Sequence, residues 1–387
     1  MKRKNLTLAL LAVCIGMAGC ASSEDKQSAE EYTLRNTLGK HFLIGAAINP
    51  EQATGKDSLV EQIVRTNFNS VVAEGCMKMR AIHPEPGKYD FKDADSFMAF
   101  AERNDQTVIG HTLIWNSMLP DWFYKDDKGN DVSPDVLKER MREHISTVVG
   151  RYKGKIKGWD VVNEALNDDG TYRDCPFYRI LGEEYIPLAF MYAHEADPGM
   201  ELYYNDFNLN IEAKRNTVLK IVDDLRCRGI EVSAIGMQCH LWRGWPTVES
   251  VEKAIVDFKE HGLKVMITEL DLSALPTRDD KIGANVNAKF EYGEDIDPYR
   301  DGLPDEVAEK WNDRMFSFFK MFLRHDDVIT RVTTWGVTDD ASWRNGWPIK
   351  GRTDYPLLFG RDRKPKPVVD SIIKTVLSLE KINGELN

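Results

Sequence analysis

The sequence predicts a single-domain α/β protein, a (β/α)8 TIM barrel. Three observations carry this. From residue 41 onward, eight short β-branched or apolar runs alternate with segments of helical period. No internal repeat and no second linker interrupts the alternation, and 387 residues suit one large barrel. The strand runs are almost continuously apolar, as expected of parallel strands covered on both faces. A doubly wound open sheet is the alternative, but no glycine-rich dinucleotide loop follows the first strand.

In chain order, the first element is not part of the fold. Lys2, Arg3 and Lys4 precede an uncharged run over 6–19 rich in Leu, Ala, Val and Ile, the two regions of a signal peptide. At 14 residues the run is too short to span a bilayer comfortably. Met17-Ala18-Gly19-Cys20 resembles a bacterial lipobox, which implies a mature chain beginning at lipidated Cys20. The expected organisation is a signal peptide over 1–19, lipidated Cys20 with a polar tether over 20–33, and a catalytic barrel over 34–387. Such a chain crosses the inner membrane and meets a membrane through its lipid alone. Whether it sits on the outer membrane, on its periplasmic face or on the cell surface is left open.

The expected strands are 42–47, 70–74, 107–113, 158–163, 201–205, 234–240, 264–270 and 331–336. Between them lie helical stripes at i, i+3, i+4, i+7. They are Ala94, Phe97, Met98, Ala101; Val218, Ile221, Val222, Leu225; Val251, Ala254, Ile255, Phe258; and Met315, Phe318, Phe319, Phe322. Cys76, Cys175, Cys227 and Cys239 fall in the mature part without a CxxC pair or metal-ligand spacing, so mostly buried free thiols are expected.

Composition narrows the function. A net charge of -11 repels polyphosphate and excludes nucleic acid as a partner, while nine Trp suit stacking on sugar faces as well as filling a core. Barrel enzymes work at the carboxyl ends of their strands, and polar residues gather there. The second run ends at Glu74 with Lys78 shortly after, the third carries His111 and Trp115, and the fourth and fifth end in Asn163-Glu164 and Asn205-Asp206. The sixth carries Gln238 and His240, the seventh Glu269 and Asp271, and the eighth Trp335. One glutamate at a strand end is usually a surface residue or a helix cap; agreement at seven of eight ends points to a site.

Two carboxylates without a metal fit glycoside hydrolysis, with one acid protonating the leaving oxygen and the other attacking or activating water. Glu164 and Glu269, on runs four and seven, are placed for this. His111 and His240 lack short-spaced ligand partners, so no metal is expected. Trp115, Trp335 and Trp343 read as sugar platforms.

Trp159-Asp160-Val161-Val162-Asn163-Glu164 and Ile267-Thr268-Glu269-Leu270-Asp271 together resemble glycoside hydrolase family 10, the retaining endo-β-1,4-xylanases. Further matches are Gly110-His111-Thr112-Leu113-Ile114-Trp115, Tyr204-Asn205-Asp206, Gln238-Cys239-His240-Leu241, Trp335-Gly336-Val337 with Asp339, Ser342-Trp343, and Pro356-Leu357-Leu358-Phe359. The resemblance covers roughly 40–378. It implies Glu164 as acid/base and Glu269 as nucleophile. It places Asn163 on the 2-hydroxyl at subsite −1 and Trp335 and Trp343 as walls of the glycone side. Lys78, His111, Gln238 and His240 support that sugar or the nucleophile, and Glu74, Trp115 and Asn205 complete the substrate-binding set. No organic cofactor is implied, and a monomer acting on xylan or xylo-oligosaccharides is expected.

Four positions depart from the family pattern. Gly75 stands where Asn is usual, Met79 where Trp is common, Asn116 where His is usual and Met118 where Gln is usual. Gly75 and Met118 fall where the family hydrogen-bonds the sugar at subsite −2, so binding there should be weakened or altered. The loop 276–304, with Arg278, Lys281, Tyr292 and Tyr299, is a place where tolerance of xylan side chains can be set. Two rivals stand beside the xylanase: a retaining hydrolase of another β-linked glycan, such as mixed-linkage glucan or heavily branched xylan, and a catalytically silent glycan-binding lipoprotein.

Overall fold

The computed structural model describes residues 32–276 and 297–385. The expected signal peptide, Cys20, the tether up to residue 31, and Arg278, Lys281 and Tyr292 lie outside the described residues. Thr33, expected to end the tether, belongs to the folded unit instead. It is buried, and its hydroxyl accepts the Asn36 N–H, capping the helix Leu34–Thr37.

The strands are β1 Leu43–Ile48, β2 Ser70–Ala73, β3 Thr107–Trp115, β4 Gly158–Asn163, β5 Glu201–Asp206, β6 Ala234–Met237, β7 His240–Leu241, β8 Lys264–Leu272 and β9 Ile329–Thr334. Neighbours pair in parallel from β1 to β6, β8 pairs with both β6 and β9, and β9 returns to β1. This closes an eight-stave barrel, the expected fold.

The outer helices are α1 Ser58–Asn67, α2 Lys92–Arg103, α3 Pro134–Arg151, α4 Tyr185–Ala196, α5 Glu212–Cys227, α6 Val248–Glu260, α7 Asp305–Arg324 and α8 Pro367–Glu385. Asp57, Ser133 and Thr247 cap the first turns of α1, α3 and α6 through their side chains. The predicted stripes of α5, α6 and α7 are buried as expected. In α2, Ala94, Phe97 and Ala101 are buried, but Phe100 joins them and Met98 is only partly covered. Phe100 lies three residues past Phe97, on the same face of the helix.

Of the strand boundaries that differ from expectation, three do so for visible reasons. The sixth run is broken after Met237, because Cys239 takes a left-handed φ of 57° and re-aims the chain, so that His240 pairs with Asp271 of β8. The eighth ends at Thr334, where Gly336 adopts φ 133° and turns the backbone; Trp335 lies just past it, its N–H bonded to the Leu270 carbonyl at 3.0 Å. The third runs two residues further than expected, to Trp115, through a register shift between His111 and Ile114. Among the described residues the four cysteines are free; Cys76 and Cys175 are buried and Cys239 is half-buried, but Cys227 is exposed. Two positions past buried Leu225, Cys227 points about 200° around α5, away from the barrel.

The main core lies between the staves and the helices, and a smaller cluster of Ile109, Tyr203, Ala234 and Met266 fills the barrel interior. Gly110 sits opposite Trp159 in the β3–β4 register, and a Cβ there would come within 2.2 Å of the buried indole. Gly110→Ala should therefore destabilise the protein by about 1–3 kcal/mol, because a fully packed ring cannot retreat. Chemical denaturation of the two proteins tests this; equal midpoints would show that the interior yields.

Candidate active site

Backbone pairing sets the functional side chains at one level. Asn163 of β4 lies between Trp115 of β3 and Asn205 of β5, and Asn205 lies beside Gly236 of β6. The ladder continues past the strand ends, with the Glu164 N–H on the Asn205 carbonyl at 2.9 Å and the Glu269 N–H on the Gln238 carbonyl at 3.0 Å. Gly236 is needed here: a Cβ would stand 2.3 Å from the Asn205 side-chain oxygen. Glu164, immediately after β4, holds a left-handed φ of 57°, a conformation that costs a non-glycine residue about 1–3 kcal/mol and clusters at functional sites.

Both glutamates are buried, each only 5% exposed. Asn205 bridges the two sides, its Nδ2 donating to Glu269 Oε1 at 2.7 Å and to Asn163 Oδ1 at 2.9 Å. Its own carbonyl accepts the Thr268 hydroxyl at 2.6 Å, which settles its orientation. Gln238 Nε2 donates to Glu164 Oε1 at 3.1 Å and to Asn163 Oδ1 at 3.2 Å. Asn163 Nδ2 reaches the same Glu164 oxygen at 3.4 Å. Among the described residues, Glu164 Oε2 and Gln238 Oε1 have no hydrogen-bond partner.

Glu269 Oε2 faces His240 Nε2 at 3.1 Å, and His240 Nδ1 faces Asp271 Oδ2 at 2.9 Å. Asp271 also accepts Trp343 Nε1 at 2.7 Å and Arg344 Nη2 at 2.7 Å. Burial alone would raise the pKa of Asp271, but Arg344 and His240 overcome it and hold the carboxyl at about 2. Burial would lower that of His240, but Asp271 and Glu269 lift it to about 9, so both ring nitrogens carry protons near neutrality. Burial likewise pushes Glu269 up; the hydrogen bond from His240 and the charges of His111, His240 and Lys78 bring it below its ordinary value.

Glu164 moves the opposite way. Burial raises its pKa most, Arg173 opposes, and Asp206 and then Glu269 add repulsion. Asp206 is itself buried, tied to Lys214 Nζ at 2.8 Å and to the Tyr204 hydroxyl at 2.8 Å. The two glutamates are thus driven to different protonation states by their surroundings.

The remaining expected residues form the wall. His111 Nδ1 meets Asp160 Oδ2 at 2.9 Å, and its ring packs edge-on to Trp335 at 5.2 Å. Trp343 packs on His240 at 5.0 Å, and Lys78 Nζ lies 4.8 Å from the Trp115 ring centre and 5.7 Å from that of Trp335. Burial lowers the pKa of Lys78 against the pull of Glu269, Glu74 and Glu164, and raises that of half-buried Glu74 against the charge of Lys78. The structure therefore brings the expected set to one mouth. A side chain at Gly75 would meet nothing within 4 Å, and Met118 is half-buried in a 3-10 turn of Asn116–Met118.

The residue profile of Glycosyl hydrolase family 10 matches residues 33–375. The chain belongs to glycosyl hydrolase family 10. It is 47% identical over 342 residues to "Endo-1,4-beta-xylanase A" of Xylanibacter ruminicola, covering 88% of this chain and 93% of that protein. It is 39% identical to "Endo-1,4-beta-xylanase" of Geobacillus stearothermophilus, covering 87% and 96%. Its fold matches a family 10 endoxylanase from a sugarcane soil metagenome at TM-score 0.85 and 38% identity, covering 88% and 99%. A xylanase of Paenibacillus barcinonensis complexed with a conduramine derivative matches at TM-score 0.78 and 34% identity, covering 88% and 98%.

Several residues that complete this family 10 site were given no role by the sequence reading. Asp160 and Asp271 stand inside motifs it quoted, and their signal was available: a carboxylate within an apolar strand run must find a partner. Arg344, Arg173 and Lys214 carried no such signal, because they come from loops and a helix brought in by the fold.

The pH dependence follows from the opposed shifts. A mechanism that uses Glu269 ionised and Glu164 protonated assigns the acidic limb to the lowered group and the alkaline limb to the raised one. His240→Asn removes a hydrogen bond and a positive charge from Glu269, whose pKa should then rise. The acidic limb of kcat/KM should move to higher pH while the alkaline limb stays; an unmoved acidic limb would separate His240 from the ionisation of Glu269.

Proposed function

We propose that the protein is an endo-1,4-β-xylanase that hydrolyses internal β-1,4-xylosidic bonds of xylan with retention, by double displacement. The observation that carries this is the pair of buried glutamates at one barrel mouth with opposed pKa shifts, in a family 10 chain. Glu164 gives its proton to the leaving glycosidic oxygen while Glu269 attacks the anomeric carbon and forms a glycosyl ester. In the second step Glu164, now a carboxylate, takes a proton from water, whose oxygen attacks the anomeric carbon and releases Glu269. His240 and Asn205 bond both oxygens of Glu269, which supports its role as an ionised nucleophile held in place. The unpartnered Glu164 Oε2 suits a proton donor.

Glu164→Ala should lower turnover of xylan by about 10²–10⁴. An aryl xyloside with a good leaving group needs little acid help and should keep most of its first-step rate. The product first released by the wild type should be the β-anomer. An α-anomer, or equal first-step losses on both substrates, would exclude this mechanism.

The mature protein is a lipoprotein in this reading, carrying its lipid on Cys20 after cleavage behind Gly19, and is held to a membrane by that anchor alone. Support comes from the basic start, the short apolar run and Met17-Ala18-Gly19-Cys20. Among the described residues no helix is long and apolar enough to cross a membrane. Membrane fractions should hold the wild-type protein, and Cys20→Ser should release it; equal partitioning of both would remove the anchor.

A further inference from the structure

We propose that Trp347 is a positioning residue for the reaction: its indole fixes the tilt of the Trp343 wall and thereby favours a pentose over a hexose in the sugar beside that wall. The proposal rests on the xylanase reading and deepens it. Trp347 lies between Ser342-Trp343 and Pro356-Leu357-Leu358-Phe359 and belongs to neither motif. One turn of backbone joins it to Trp343. The Trp343 carbonyl accepts the Gly346 N–H at 2.8 Å and the Trp347 N–H at 3.1 Å. Side chains four residues apart on such a turn lie on one side, one above the other. The two indoles accordingly stack, with ring centres 4.7 Å apart and planes 14° from parallel.

Trp343 is half-buried and reaches the catalytic relay through its edge, where Nε1 donates to Asp271 Oδ2 at 2.7 Å, while its ring packs on His240 and beside Trp335. A hydrogen bond at one edge atom fixes a point and leaves the plane able to swing about it. A parallel ring against the face removes that swing, because tilting parts the rings at one end and drives them together at the other. Trp347 can serve as this brace because it is held in turn. Its ring centre lies 6.2 Å from that of wholly buried Trp242, and the buried Arg344 guanidinium stands 4.3 Å from the Trp242 ring, 5.2 Å from Trp343 and 5.7 Å from Trp347. The same Arg344 bonds Asp271, so the wall and the relay share one anchor. In β-1,4-linked chains, glucose differs from xylose by a hydroxymethyl group at C5. A wall that cannot tilt imposes the full steric cost of that group on a hexose, and a wall free to tilt makes way for it.

The test compares wild type with Trp347→Leu, which keeps apolar bulk without a flat ring, and Trp347→Phe, which keeps a flat ring. kcat and KM are measured on an aryl β-xylobioside and the matching aryl β-cellobioside. Trp347→Leu should raise KM for the xylobioside by about two- to tenfold with kcat little changed, and should narrow the preference for xylobioside over cellobioside by a similar factor. Trp347→Phe should stay within about twofold of wild type on both substrates. If Trp347→Leu matches wild type in KM and in preference, Trp347 does not position the wall. If both variants lose kcat alike with the preference unchanged, Trp347 only supports the fold, and the proposal is equally overturned. Wild type that turns over neither glycoside, or prefers the cellobioside, removes the xylanase reading itself, an outcome read before any variant is compared.

Discussion

Glu269 must stay ionised while buried at the mouth of an apolar barrel. A carboxylate there without partners would cost several kcal/mol and would take up a proton instead. The surrounding structure answers that constraint in relays. Asn205 and His240 occupy its two oxygens, Asp271 charges His240, and Arg344 with Trp343 holds Asp271. Each partner is buried or half-buried, so each needs the next, and the chain ends where the Arg344 guanidinium donates from Nε and Nη2 to one oxygen of Asp271, Oδ1. Removing Asp271 would leave the buried Arg344 guanidinium without its carboxylate.

Glu164 is defined by how little it is given. Two amides reach one of its oxygens, the other has none, and Arg173 is too weak a counterweight to undo burial. Its neighbour Asp206, paired with Lys214 and bonded by the Tyr204 hydroxyl, repels the ionised form of Glu164. Two identical side chains thus acquire different proton affinities from unequal surroundings, the general route to acid and base on one fold.

The closed parallel sheet makes this possible because neighbouring staves are held in register. Asn163, Asn205, Gln238 and Glu269 occupy adjoining strand ends, so short side chains suffice to link them. Where the regular strand would point a group the wrong way, the backbone departs from it: Glu164, Asn208 and Cys239 all adopt left-handed φ near 57°. The conformational cost falls at the rim, where the core below is already complete.

The alternation of eight apolar runs with helical stripes was enough, in the sequence alone, to determine the barrel, because burial period is a local property of the chain. The same local logic placed Glu164, Glu269, His240 and their neighbours at strand ends, and the quoted motifs carried the family. Tertiary structure alone decided the rest. The break at Cys239 and the early end of β9 depend on packing and backbone angles that no period records. The pairing of Asp160 with His111, of Asp271 with Arg344 and of Asp206 with Lys214 depends on residues up to 73 positions apart. Proton affinity is set by such through-space neighbours and by burial, so which glutamate holds the proton becomes legible only when the chain has folded.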